Sequence, residues 1–219
     1  MVTMGFNMRN QPCVVVGGGK VAERRIRVLL EDQAQITIIS PNVTATIQQW
    51  ALEQRVVVYE SKFTSAQEAL LSKARFVIAA TDDEVVNQLA ASLGRKHKAF
   101  VNRVDNHEDC DFTFPATLVI GELVITIMTG RVSPRLNRLL KEHIEENYKQ
   151  VADVLPKLKQ YRQEVKAILP TAAEREAFWA SQLGRHELDM ILRGEWKRVE
   201  EQIGDAISSI RFKPSQCTR

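Results

Sequence analysis

The first half of the chain alternates short apolar runs with segments whose apolar residues recur at helical spacing. Ala22, Ile26 and Leu29 lie three or four residues apart with charged residues between them, which predicts an amphipathic helix. The apolar runs are rich in β-branched residues and predict buried strands at residues 13–17, 35–40, 55–60, 75–81 and 97–101. This alternation predicts an α/β fold with a parallel sheet covered by helices.

Two of the intervening helices carry a capping-box signature at their start. Ser65-x-x-Glu68 and Thr81-x-x-Glu84 place a hydroxyl and a carboxylate at the spacing that satisfies free N–H groups in a first turn. A further helix is predicted over residues 43–54, after Pro41 ends the second strand. We therefore expect one helix to begin at Ser65 and another at Thr81.

The pattern changes after Asp111. Two apolar runs flank Gly121-Glu122 with no helix between them, which predicts a β-hairpin, and such apolar strands need a partner surface. Beyond Ser133 only helical spacing remains, and the predicted boundaries are Pro156, Pro170 with the capping box Thr171-x-x-Glu174, and Gly184-Arg185. The chain is thus predicted to contain an α/β domain at residues 1–111, a hairpin region at 112–148 and an all-helical domain at 149–219.

The first predicted strand leads directly into a glycine-rich turn. Gly17-x-Gly19-x-x-Ala22 stands between a strand and a helix, where a dinucleotide-binding fingerprint must lie. Gly17 allows the tight turn, Gly19 lets the backbone approach a pyrophosphate, and Ala22 permits close helix–strand packing. The N–H groups that begin the helix favour an anionic ligand. The turn therefore predicts a Rossmann-like domain that binds a dinucleotide through Gly17, Gly18, Gly19, Lys20, Val21 and Ala22.

The end of the second strand lacks the acidic residue that often binds the ribose of NAD. Ser40 and Pro41 stand there, about 20 residues past the glycines. The Ser40 hydroxyl can donate or accept a hydrogen bond, and it repels a 2′-phosphate less than a carboxylate does. Ser40 and Pro41 are therefore candidate cofactor contacts that leave the choice between NAD and NADP open.

The loop after the fifth strand carries candidate acid–base chemistry. Ligands of open α/β sheets bind beyond the carboxyl ends of the strands, and Asp105 leaves the fifth strand at that edge. Asp105 could accept a proton from a substrate, or it could bond backbone N–H groups of a turn. Arg131, Arg135, Arg138 and Lys141 fall at helical intervals after the hairpin, as a basic stripe that either faces solvent or binds a polyanionic small molecule.

Composition narrows the classes of function. The 30 Lys and Arg residues exceed the 27 Asp and Glu residues by a formal charge of +3, too weak by itself to indicate nucleic-acid binding. Cys13, Cys110 and Cys217 are too few for a disulfide framework, and the histidines show no metal-ligand spacing. No apolar run reaches the length of a membrane span, and the first residues lack a signal-peptide core. We expect a cytoplasmic protein without a metal site, a nucleic-acid partner or a membrane partner.

Four segments, in order, resemble one enzyme family. VVVGGGKVAERR, FVIAATDDEVVNQ, VNRVDNHEDCDFTFPA and ITIMTGRVSPRL are similar to successive blocks of the precorrin-2 dehydrogenase/sirohydrochlorin ferrochelatase family, the siroheme synthase N-terminal type. The similarity runs from about Arg9 to Tyr148 and continues more loosely into the helical tail. It implies NAD-dependent oxidation of precorrin-2, a tetrapyrrole, to sirohydrochlorin in siroheme or cobalamin synthesis. It also implies a homodimer whose hairpin and first C-terminal helices, the dimerisation region, exchange between subunits.

The resemblance also assigns residues. The family's important carboxylate, which follows a Val-Asn-x-x sequence, falls on Asp105. Gly17, Gly19 and Ala22 match the cofactor turn, and Thr81 matches a Thr beside the nicotinamide ribose. The tetrapyrrole bears several carboxylates, so the candidate substrate anchors are Arg103, Arg131, Arg135 and Arg138. The chain departs from the family at Gln33, Ile120 and Arg131, where Gly, Arg and Gly are usual.

Other functions remain open at this point. An NAD-binding regulatory module would share the glycine turn, but such modules usually keep an acid where Ser40 stands and lack the helical tail. An NAD(P) oxidoreductase with an unrelated substrate is a third interpretation. Iron insertion to give siroheme is also open, because no His or Cys cluster supports a tight iron site.

Overall fold

The computed structural model describes residues 2–130 and 132–212. The chain forms two compact units, Met1–Phe114 and Pro115–Arg219, each with its own core. The division into three regions at residues 111 and 148 stays a prediction.

A parallel sheet of five strands organises the first unit. The strands are β1 (Pro12–Val16), β2 (Gln35–Ile39), β3 (Val56–Tyr59), β4 (Phe76–Ala79) and β5 (Phe100–Arg103). They pair in the order β3-β2-β1-β4-β5, which confirms the predicted Rossmann-like α/β fold. The helices are α1 (Lys20–Glu31), α2 (Ala45–Leu52), α3 (Glu68–Leu71), preceded by a 3₁₀ turn at Ser65–Gln67, and α4 (Glu84–Lys96).

Both faces of the sheet are buried. Val15 and Ile38 pack against Ile26 of α1 in one cluster, and Val77 packs with Ala90 of α4 in another cluster. Fully burying side chains of this size stabilises the fold by about 1.5–3 kcal/mol each. Burial on both faces explains why the strands read as continuous apolar runs rather than as alternating ones.

Both predicted capping residues in this unit are displaced, although the first helical turn begins at Ser65 as predicted. The first capping residue is Thr64, not Ser65, because the Thr64 N–H donates to Gln67 Oε1 at 2.8 Å in a capping box one residue earlier. The N-cap of α4 is Asp83, not Thr81, since Asp83 Oδ1 accepts hydrogen bonds from the N–H groups of the first turn, the closer at 2.9 Å. A carboxylate competes better than a hydroxyl for these donors.

Three helices of the first unit are followed by a non-glycine residue in the left-handed region, and Gln54 after α2 has φ 57°. Gln33 lies beyond α1 with φ 59°, at the position where the resembling family commonly has Gly. Lys98 lies beyond α4 with φ 62°. Each costs about 1 kcal/mol of backbone strain. The turn at Lys98 delays β5 until Phe100, so the prediction that the fifth strand begins near residue 97 is wrong.

The second unit begins with the predicted hairpin. Its strands β6 (Ala116–Ile120) and β7 (Leu123–Ile127) pair antiparallel, and Gly121 takes φ 55° at the turn. Leu118 is buried on one face of the hairpin, whereas Val119 and Val124 pair on the opposite face and are each 60% exposed. The helices that follow are α5 (Pro134–Ile168), α6 (Ala172–Gln182), α7 (Arg185–Leu192) and α8 (Trp196–Arg211).

Pro156 does not end a helix, contrary to the sequence prediction. It lies inside the 35-residue helix α5, between Val154 and Val165, which are buried in the helical core. An interior proline removes one backbone hydrogen bond at a cost of about 3 kcal/mol, and burial on both sides offsets that cost. The boundaries at Pro170 and Gly184 and the capping box at Thr171 are confirmed.

Candidate functional site

A cleft of about 820 Å³ opens at the carboxyl ends of the strands in the first unit. The glycine turn after β1 forms one wall, and residues that follow β2, β3 and β4 complete it, including Ser40, Lys62 and Thr81. The strand order reverses beside β1, which is where open α/β sheets bind their ligands. The position of the cleft, its volume and the residues that line it are thus typical of a nucleotide-binding site.

Gly17 makes the tight turn that the sequence predicts. Its φ is +111°, and a Cβ atom there would lie 2.3 Å from the backbone oxygen of Ala80. Its N–H donates to the carbonyl of Ile39 at 2.9 Å, so the turn stays attached to the sheet. Only glycine fits between the ends of β1 and β4.

Gly18 and Gly19 have different surroundings. A Cβ on Gly18 would lie 2.4 Å from the carbonyl oxygen of Asn42, so Gly18 serves internal packing. A Cβ on Gly19 would meet no protein atom within 4 Å, and Gly19 is the N-cap of α1 without any side-chain cap. The N–H groups that begin α1 are therefore left for a ligand beside Gly19.

The rest of the turn combines exposed and buried side chains. Ala22 is fully buried against the sheet, while Val21 is 42% exposed and lines the cleft. The Lys20 ammonium lies 3.2 Å from Glu23 Oε2, and Arg27 lies 3.2 Å from Glu23 Oε1. Glu23 is buried, and hydrogen bonds from Thr44 and Lys20 lower its pKa. Glu23 thus pairs with both Lys20 and Arg27, and the Lys20 side chain is 81% exposed.

Ser40 and Pro41 line the cleft, but the Ser40 hydroxyl already has a partner. Ser40 is buried, and its Oγ donates to the carbonyl of Asn42 at 2.7 Å. The hydroxyl can still accept a hydrogen bond, but its own proton is directed into the protein. Ser40 therefore shapes the turn after β2.

Thr81 lines the cleft at the end of β4 and is held by Asn87. The Thr81 N–H donates to Asn87 Oδ1 at 3.0 Å, and Asn87 Nδ2 donates to the Thr81 carbonyl at 3.0 Å. Asn87 is fully buried and was not singled out from the sequence. The sequence does indicate a buried polar residue at this position, because Asn87 is in helical register with Ala90 and Gly94 on the apolar face of α4.

Asp105 follows Val104, which lines the cleft, and its carboxylate is bound by Arg103. Arg103 Nε donates to Asp105 Oδ1 at 3.2 Å and Nη2 donates to Oδ2 at 2.9 Å, a two-pronged pair. The same guanidinium reaches Asp109 Oδ2 at 3.0 Å and the amide oxygen of Gln88. Asp105 is thus more than a turn residue that bonds backbone N–H groups.

Arg103 has a different role from the one the sequence predicted. Its side chain is only 2% exposed, and its donors are directed to acceptors of its own chain. It is therefore not placed to bind substrate carboxylates. Hydrogen bonds from Arg103 lower the pKa of Asp105 against the opposing effect of burial, and the hydrogen bond to Asp105 raises the pKa of Arg103. The pair is charged at neutral pH.

The other predicted substrate anchors belong to the second unit. Arg135 and Arg138 are exposed in the first turns of α5 and line a hollow of about 400 Å³ together with Leu139 and Glu142. Arg131 lies outside the described residues.

The part of the chain that the structure describes contains neither a cluster of metal ligands nor a membrane-spanning helix. No group of three or more His, Cys, Asp or Glu side chains there is arranged to hold a metal ion. No helix in residues 2–130 and 132–212 combines the length and the apolar character of a bilayer span.

Two family models match the chain. The NAD(P)-binding family matches residues 4–116, which is more than half of the chain and includes the whole cleft. The sirohaem synthase dimerisation region matches residues 147–207. This match lies almost entirely beyond the region 112–148 that the sequence analysis assigned to dimerisation.

Individual relatives carry related names. A siroheme synthase of Salmonella paratyphi A is 35% identical over 173 residues, covering 78% of this chain and 37% of the relative. One of Methylococcus capsulatus is 32% identical over 202 residues, covering 92% of this chain and 42% of the relative. The chain therefore spans about two fifths of these relatives. The solved structure of SirC, a precorrin-2 dehydrogenase, is 25% identical with a TM-score of 0.72, covering 92% of this chain and all of that one.

Proposed function

The chain belongs to the precorrin-2 dehydrogenase family of siroheme synthase type, and from this we propose that it oxidises precorrin-2 to sirohydrochlorin with NAD. One observation supports the proposal best. The glycine turn, Thr81 and the loop that carries Asp105 all lie at the same edge of the sheet, beside one cleft. The oxidation removes two hydrogens from the tetrapyrrole, one as hydride and one as a proton. NAD, when bound, supplies the hydride acceptor.

Different cleft residues would hold different parts of the cofactor. The uncapped N–H groups at the start of α1, beside Gly19, suit the pyrophosphate. Ser40 and Pro41 would border the adenosine ribose at the end of β2, and Thr81 would border the nicotinamide half at the end of β4. Ser40, Pro41 and Asn42, which follow β2 in the cleft, carry no negative charge that would repel a 2′-phosphate there.

Asp105 is the proposed proton acceptor. Its carboxylate is one quarter exposed and ionised at neutral pH, because Arg103 lowers its pKa. A carboxylate that is ionised at neutral pH stabilises the positive charge that hydride loss leaves on the macrocycle, and it is in the form that can accept the proton. Arg135 and Arg138, with Arg131, are the proposed contacts of the substrate carboxylates.

The decisive experiment is anaerobic incubation with precorrin-2 and NAD. We expect the absorbance of sirohydrochlorin to grow in step with that of NADH, and no change when NAD is omitted. Parallel reactions with NADP measure the cofactor preference, and addition of Fe²⁺ shows whether siroheme follows. A protein that binds NAD but leaves precorrin-2 unchanged is instead a regulatory module, and the proposal is then wrong.

We also propose a homodimer in which the hairpin packs on the partner subunit. The match of residues 147–207 to a dimerisation region supports the homodimer. The exposed face of β6 and β7, where Val119 and Val124 are each 60% exposed, supports the place of the hairpin in its interface. Exposed apolar strand faces of this kind need a covering surface.

A charge on this face tests the dimer. Val124→Lys is expected to give a folded monomer, because a buried ammonium in the interface costs several kcal/mol. Light scattering after size exclusion reports the mass. The matched control is Val57→Lys, at a residue 56% exposed on the edge strand β3, which should stay dimeric. A dimeric Val124→Lys variant would exclude this face from the interface.

A further inference from the structure

Arg103 contacts two separate segments of the first unit. Gln88 lies on α4, whereas Asp105 and Asp109 both lie on the loop that follows β5. We propose that Arg103 is a positioning residue that holds the Asp105 carboxylate in one orientation beside the cofactor cleft. The inference rests on the role of Asp105 in the proposed function.

The geometry of the pair fixes the plane of the carboxylate. Nε and Nη2 each bind a different oxygen of Asp105, at 3.2 Å and 2.9 Å. Two parallel hydrogen bonds between planar groups prevent rotation of the carboxylate, which a single ammonium cannot do. A lysine at position 103 would therefore keep a positive charge and lose the orientation.

The guanidinium of Arg103 is itself fixed from the other side. Its Nη1 donates to Asp109 Oδ2 at 3.0 Å, while Asp109 Oδ1 lies 2.7 Å from Arg95 of α4. The second acceptor of Nη1 is Gln88, one turn before Ser92 on the same helix. Arg103 thus ties the Asp105 loop to α4, the helix whose Asn87 holds Thr81 at the cleft.

The loop that carries Asp105 folds back on the edge strand β5. The Val101 N–H donates to Asp111 Oδ2 at 2.9 Å, and the Asp111 N–H donates to the Val101 carbonyl at 2.8 Å. The Arg103 N–H is directed at Cys110 Sγ, 3.2 Å away. Hydrogen bonds to the backbone of β5 therefore hold the loop against the strand, and Arg103 acts on the side chain of Asp105.

More negative than positive groups surround the Arg103 guanidinium. Three carboxylates face it, with Asp105 at 2.9 Å, Asp109 at 3.0 Å and the exposed Glu84 at 4.0 Å, and Arg95 shares Asp109. Asn87 adds a hydrogen bond that also lowers the pKa of Asp105. Without the guanidinium, Asp105 and Asp109 would lose the two-pronged positive partner that they share. The pKa of Asp105 would then rise, because the nearby negative charge of Asp109 disfavours its ionised form.

Arg103→Lys tests the proposal through Asp105. We expect kcat for precorrin-2 oxidation to fall about 10- to 100-fold with the Kd of NAD unchanged, because the carboxylate is displaced. We also expect the acid limb of kcat/KM to move to higher pH. Carboxyl NMR, with Asp105→Asn to assign the signal, should show the same upward movement of the Asp105 titration, and this readout does not need turnover.

Non-additivity separates a positioning role from a structural one. In an Asp105→Asn background, Arg103→Lys should change kcat no further, since there is no carboxylate left to orient. Gln88→Ala is a milder second variant, because it removes one acceptor of Arg103 at an exposed helix position and changes no charge. It should lower kcat several-fold, and only when Asp105 is present. Arg55→Lys, in a surface pair with Glu53, is the matched control and should behave as wild type.

Other outcomes would overturn the proposal. An unshifted Asp105 titration in Arg103→Lys, or equal losses in both backgrounds, would mean that Arg103 serves the fold alone. If wild-type protein fails to oxidise precorrin-2 while the titration shifts as expected, the proposed function fails and the Arg103–Asp105 coupling stands.

Discussion

Asp105→Asn is expected to lower kcat for precorrin-2 oxidation by about 10²- to 10⁴-fold, the loss typical of a removed proton acceptor. Asparagine keeps the shape of the side chain and one oxygen for Arg103, but it carries no charge and accepts no proton. The affinity for NAD is expected to stay near wild type, because Asp105 is not among the residues that line the cleft proposed to bind the cofactor.

Single-turnover kinetics with precorrin-2 measure this effect, and titration with NAD measures the cofactor site independently. Asp205→Asn, at an exposed position of α8, is the matched control and should leave both quantities unchanged. An Asp105→Asn protein with full turnover would remove Asp105 from the mechanism. Weakened NAD binding with intact chemistry would make Asp105 a cofactor residue instead.

The glycine turn and its place at the edge of the sheet could be predicted from the sequence because their determinants are local. A β-branched strand, three glycines and an amphipathic helix are consecutive, and Gly17 takes the turn conformation that this order requires. The parallel sheet followed from the same alternation, since strands that are joined by helices pair in parallel. Thr81 reaches the cleft for the same reason, as the residue that follows β4.

The environment of Asp105 could not be predicted in the same way. The partners of Arg103 are Gln88 and Asp109, on separate elements, and the burial of Arg103 depends on how the loop folds onto β5. Residues close in sequence also compete for the same position in a helix, since Asp83 caps α4 although Thr81 has the capping-box spacing. Such competition is decided by the relative strength of hydrogen bonds in the folded chain, which spacing does not show.

Gly17→Ala is expected to destabilise the first unit by about 3–5 kcal/mol, from backbone strain and a clash together. The φ of +111° is unfavourable for alanine, and the new methyl group would lie 2.3 Å from a backbone oxygen, which cannot change rotamer to escape. A thermal melt should show a fall in Tm of about 10 °C. NAD binding should be lost with the fold of the turn. A variant of unchanged Tm would show that the turn can rearrange.

Gly19→Ala provides the comparison that separates folding from binding. Its φ of −80° suits alanine and a Cβ there meets no protein atom within 4 Å, so the free energy of unfolding should change by less than about 1 kcal/mol. The space that the methyl group fills is the space proposed for the pyrophosphate, so the Kd for NAD should rise at least about 10-fold, equivalent to about 1.4 kcal/mol. Calorimetric titration with NAD measures this change. Wild-type affinity in a stable Gly19→Ala protein would place the pyrophosphate away from the start of α1, because a bound phosphate and a methyl group cannot share one position.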